Sequence, residues 1–154
     1  MGLDLTVREQ VNFSTNEKGQ RTWQVVELFN FRNCHKILDQ LERRLEGTFD
    51  NCSTYSFTEG QFFGVLHNLE EDLKELETDN GEGYCRYKYE SEDDYNKRVS
   101  NYIREEKADI SANIKELKEF IAQENLQEQT LTQEDKDYGV DEQYGRTFEV
   151  HAWW

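Results

Sequence analysis

The residues from which a metal centre or a nucleophilic site would be built are three cysteines, Cys34, Cys52 and Cys85, and three histidines, His35, His67 and His151. A structural zinc site draws on ligand pairs two to four residues apart, and no two cysteines and no two histidines have that spacing. Cys34 and His35 are neighbours, and on a helix neighbouring side chains point about 100° apart, too far to share one ion readily. Cys34 lies on an apolar stripe and reads as a small core residue. An odd number of cysteines without a CxxC pair reads as reduced thiols. The chain has no GxSxG elbow, no GxxxxGK[ST] loop and no GxGxxG after a strand. Gly81 and Gly83 flank Glu82 in a stretch dense with acids, which would repel a phosphate. His67 sits beside the Leu66/Leu69 stripe, where a partly buried helix histidine is the ordinary outcome. No catalytic residue, metal or cofactor is expected.

Charge is the feature that departs most from the ordinary. The 154 residues carry 33 acids and 18 bases, a formal charge of −15. Its placement is uneven: residues 1–69 hold 7 bases and 9 acids, residues 70–154 hold 11 and 24. From Glu70 to Asp94 there are 11 acids against Lys74, Arg86 and Lys88, with Tyr84, Tyr87, Tyr89 and Tyr95 close by or among them. Such a run keeps a small protein soluble. It also suits a face that docks on a basic groove, because carboxylates on helices and loops can copy the spacing of phosphates, and complementary fields speed association. Tyrosines supply the rigid contact area that interfaces favour. The residues assigned to partner binding are Glu70, Glu71, Asp72, Glu75, Glu92, Asp93 and Asp94. A different reading is a small-ligand binder that sequesters a nucleotide signal, with Arg8, Arg21, Arg32, Arg43 or Arg44 on the phosphate and Trp23 and Trp153 as stacking surfaces. A small enzyme of undefined type is the third.

The elements that must position these residues follow from composition and periodicity. Apolar residues make up 35% and aromatic residues 13% of the chain, which describes one folded domain over residues 1–154 with a modest, aromatic-rich core. No apolar run approaches the ~18 residues of a membrane span. The start Met1-Gly2-Leu3-Asp4-Leu5 lacks the basic-then-apolar pattern of a secretory signal. Leu3, Leu5, Val7, Val11 and Phe13 share one parity, and Thr22–Phe29 is rich in β-branched and aromatic residues, so the first thirty residues predict a β-hairpin. Cys34, Ile37, Leu38, Leu41 and Leu45 mark a first helix ended by Gly47. Thr58-Glu59-Gly60-Gln61 fits a capping box opening a second helix with the stripe Phe62, Leu66, Leu69, Leu73 and Leu76. A third, capped by Ser91 or Asp93, carries Val99, Ile103, Ile110, Ile114, Leu117 and Ile121. This seam is too short for a coiled coil and predicts antiparallel packing on the second helix, with a homodimer through the same stripe as the alternative. Phe148, Val150, Ala152 and Trp154 alternate with Glu149, His151 and Trp153, a strand returning to the hairpin. The expected fold is α+β: the N-terminal hairpin and the C-terminal strand in a small antiparallel sheet, with three helices on one face.

In this order the chain resembles a group of small proteins encoded by bacteriophages and prophages. The resemblance lies in Met1-Gly2-Leu3-Asp4-Leu5, in the stretch from Trp23 to Leu41 with His35, and in Phe148 to Trp154; the middle, around Glu82–Asp94, has no counterpart. It implies a viral accessory protein in the host bacterial cytoplasm and carries no catalytic residue over. Together with the charge, it gives the expected function: stoichiometric inhibition of a host defence protein that binds nucleic acid, by an acidic face that imitates the nucleic acid. The expected partner is a host protein with a basic groove, not nucleic acid itself and not a membrane.

Overall fold

The computed structural model describes residues 3–45, 47–50, 52–130, 132–134 and 141–153, with only the backbone of Asn12 and Phe13. The elements are β1 (Asp4–Thr15), β2 (Arg21–Arg32), α1 (His35–Leu45), β3 (Thr54–Thr58), α2 (Glu59–Glu77), α3 (Glu92–Gln123) and β4 (Thr147–Trp153). The strands form one antiparallel sheet in the order β2-β1-β4-β3. The fold is α+β, as the pattern predicts, with one addition. β3 lies between the first two helices and pairs with β4 along its whole length, Thr54 opposite His151 to Thr58 opposite Thr147.

Alternation decides which side chains enter the core. Leu5 faces Phe31 and Ala152, and Val7 faces Phe29 and Val150, all on the face toward the helices. Leu3, Leu5, Val7, Phe31, Phe148, Val150 and Ala152 are buried there. β4 pairs with β1 only over Asp4–Arg8, so the outer half of the hairpin projects past the sheet. Val11, expected in the core, is therefore exposed. The Phe13 side chain and Trp154, also expected there, lie outside the described residues. Asn16 shapes the hairpin turn: its side-chain oxygen accepts from the Lys18 and Gln20 amides, and Gly19 takes the left-handed φ of +76°.

Thr58 caps α2 as its spacing predicts: its hydroxyl accepts from the Gln61 amide while the Gln61 side chain accepts from the Thr58 amide. Ser91, not Asp93, caps α3 by accepting from the Asp94 amide. The α2 and α3 stripes meet antiparallel. Leu66, Leu69, Ile110, Ile114 and Leu117 are buried in one core, and the Gln127 amide just beyond α3 donates to Glu59 at the start of α2. Phe120 is the hub of the core, its ring 5.1 Å from Phe62, 5.5 Å from Phe29 and from Phe148, and 5.6 Å from Phe31. Each large side chain buried this way contributes about 1.5–3 kcal/mol. Buried Asn113 ties α1 to α3, accepting from the Ile37 amide and donating to the Asn33 and Asp109 carbonyls.

Candidate functional site

The chain between α2 and α3, residues 78–91, contains no helix or strand but is closely held. Gly81 and Gly83 have φ of +86° and +88°, which a side chain would strain. Asp79 accepts from the Gly81 amide and from the Tyr84 hydroxyl, each at 2.8 Å. These two bonds hold its carboxyl below the usual range, and the same contact pushes the Tyr84 phenol up to about 12. The Tyr95 hydroxyl donates to the Tyr84 carbonyl at 2.8 Å. Arg98 reaches back from α3 with a fork onto Glu90, at 2.9 and 3.1 Å, and donates to the Cys85 carbonyl at 2.6 Å. Its guanidinium lies 4.0 Å from the centre of the Tyr87 ring. The fork lowers the Glu90 pKa and raises that of Arg98.

On this platform Tyr87 is 63% and Tyr89 93% exposed, and Tyr102 on α3 is half-exposed beside Tyr84. Sequence alone singles out Tyr87 and Tyr89 among the acids but misses Arg98 and Tyr102. Arg98 lies eight residues from Glu90 across a helix boundary, a separation that no local pairing rule flags.

The seven assigned carboxylates fall into two groups. Glu70, Glu71, Asp72 and Glu75 lie on α2, with Glu71 and Glu75 exposed and Glu70 and Asp72 half-buried. Consecutive helix residues point apart, so Glu70, Glu71 and Asp72 fan around the helix rather than lining one face. Asp72 and Glu75 join Asp39, Asp79 and Glu106 in a cleft of about 330 Å³ whose cations are Lys36 and Arg43. Lys36 is already bound to Glu106 at 2.6 Å, so the cleft remains acidic. Glu92, Asp93 and Asp94 form the exposed first turn of α3, where negative charge also complements the helix dipole. The platform of residues 78–91 joins the two groups.

The arginines and tryptophans of the nucleotide reading do not converge. Arg44 is locked in a fork on Glu142 at 2.6 and 2.7 Å, and Arg43 lies on α1 beside the acidic cleft. Arg8 and Trp153 are on the sheet face away from the helices, where the Trp153 indole donates to Thr6. Arg32 stands opposite Asp4, Arg21 opposite Thr15 at the hairpin tip, and Trp23 on the projecting arm opposite Asn12. Cys34 is buried, which pushes its thiol up to about 12. His67 bonds Glu128 at the surface, and His151 bonds the Thr54 hydroxyl. No group of three or more His, Cys, Asp or Glu able to hold a metal occurs among the described residues, and none of their helices is long and apolar enough to cross a membrane.

Compared with known proteins, the chain matches no family model, and no curated protein or solved structure is similar to it.

Proposed function

We propose that this protein is a phage-encoded inhibitor that acts by stoichiometric binding in the host bacterial cytoplasm. It seats the acidic lobe formed by the 78–91 platform and the adjoining turns of α2 and α3 in the basic groove of a host protein that binds nucleic acid. The observation that carries the reading is the platform itself. Asp79, Glu90, Tyr95 and Arg98 fix the loop, so the backbone that carries Tyr87 and Tyr89 is ordered before binding, which lowers the ordering cost. In the adjoining helices Glu70, Glu71, Glu75 and Glu92–Asp94 form no ion pair with another described residue. Exposed aromatic area next in the chain to helix turns with unpaired carboxylates suits fast, steered association with a cationic groove.

The test is capture of host proteins on the immobilised chain, with duplex DNA as competitor and salt as variable. Exposed charges are screened over about 8–10 Å at physiological ionic strength, so captured protein should be released steeply by salt and displaced by DNA. Glu70, Glu71 and Glu75 replaced together by Gln should weaken capture without lowering the melting temperature. Those positions separate binding from folding better than Glu92–Asp94, which also support the α3 N-terminus. Capture indifferent to salt, DNA and neutralisation would overturn the reading.

A further inference from the structure

The α2–α3 seam, which sequence offers as a route to a homodimer, is filled from within the chain. A different edge is left open. β2 is the outer strand of the sheet, and an outer strand is a template for another strand unless it is blunted. Its inner half is blunted by α3: Gln123 donates to the Leu28 carbonyl at 2.5 Å and Glu116 accepts from the Arg32 amide at 3.3 Å. Over Arg21–Glu27, no side chain among the described residues bonds the backbone from outside. This half has neither lysine nor proline, the usual guards of an edge. Its Trp23 is 56% and its Val25 48% exposed.

The charges of the segment select one partner and one register. A two-fold axis perpendicular to the sheet pairs residues of equal parity and keeps both open faces on one side. With the axis at Gln24, Arg21 stands opposite Glu27 of the second copy and Trp23 opposite its Val25, each pair occurring twice. Shifting the axis to Trp23 or Val25 leaves every one of these charges without a counterion in the segment. Glu27 forms a long ion pair with Arg8, at 3.9 Å, and its carboxylate, 72% exposed, is open to a second cation. Over this stretch β2 skips no residue: β1 passes from Asn12 to Ser14 opposite the consecutive Trp23 and Thr22, and the residue that β2 itself skips, Leu28, lies just beyond Glu27. We propose that two copies of this chain associate through antiparallel pairing of Arg21–Glu27, with the two-fold axis at Gln24.

The test is sedimentation of the full chain up to roughly 100 μM, a range that detects micromolar association. The expected mass at the upper end is twice 18.4 kDa. Arg21→Glu sets like charges opposite each other, and Glu27→Arg does the same with the opposite sign, so each alone should dissociate about tenfold more readily. An equimolar mixture of these two variants restores both cross-strand pairs and should associate as tightly as the wild type. Val25→Lys places a guard on the edge and should yield monomer with an unchanged melting curve, because that side chain is half-exposed. A wild-type monomer throughout the range, single variants that associate like the wild type, or a mixture no tighter than its components would each overturn the proposal.

Discussion

Replacing Phe120 by alanine tests whether the helical layer is seated on the sheet as described. The ring is fully buried and contacts four other rings drawn from β2, α2 and β4. A Phe→Ala change at such a position costs about 3–5 kcal/mol, combining lost transfer free energy with the cavity left behind. The edge-on and tilted geometry of its neighbours favours the upper part of that range. A domain holds about 5–15 kcal/mol in total, so a loss of about 4 kcal/mol should leave the variant folded with about a quarter or more of its stability gone. With a urea slope of about 2 kcal/mol per molar, the unfolding midpoint should fall by about 2 M. The melting temperature should fall by roughly 8–16 °C, at about 2–4 °C per kcal/mol for a chain of this size. Tyr89→Ala is the matched control, since its ring is almost wholly in water and its loss should change stability by less than about 0.5 kcal/mol. Equilibrium urea denaturation followed by circular dichroism measures both. A Phe120→Ala loss below about 1 kcal/mol would mean that the ring does not join α3 to the sheet, and the aromatic hub would be wrong.

Deleting residues 148–154 removes buried Phe148, Val150 and Ala152 and leaves β1 and β3 without their shared neighbour; light scattering and circular dichroism should report an aggregated or unfolded chain, and an unchanged melting temperature would contradict the sheet order. At pH 8, a thiol reagent should modify the exposed Cys52 and Cys85 in the native protein, whereas Cys34, with its thiol pushed up to about 12 by burial, should react only after denaturation. Burial, and then the Arg8 charge, lower the His151 pKa below 6.5, so the unfolded chain binds the proton more readily than the folded one. The His151 contribution is therefore present above about pH 6.5 and is lost as pH falls from there through the folded-state pKa. Stability measured from pH 7.5 to 5 should decline less in His151→Gln than in the wild type, and parallel curves would exclude His151 as a source of the decline.

What the sequence made legible depended on how local the signal was. The Thr58/Gln61 capping box and the apolar stripes of α2 and α3 involve residues within one or two turns of their neighbours in the pattern, and each appears where its spacing puts it. β3 was not anticipated because five residues, Thr54–Thr58, give only two and a half alternations, and their burial depends on β4 more than ninety residues later. The exposure of Val11 was hidden for a related reason: its parity is that of the core, but only the point where β4 stops pairing shows that nothing lies beneath it. The acidic run was plain in composition. Its division into two groups joined by a fixed loop was not, because that loop is held by Arg98 from the following helix.

The position of β4 has a consequence for how the chain is made. Residues 147–153 enter the sheet between β1, which is translated long before them, and β3. Synthesis proceeds from the N-terminus, and non-local pairings must meet their loop-closure cost before they are rewarded. Leu5 cannot meet Ala152 until nearly the whole of residues 1–154 has been translated. Until then the hairpin can form, yet both of its long edges and its apolar inner face stand open. The chain is thus at its most adhesive before β4 joins the sheet.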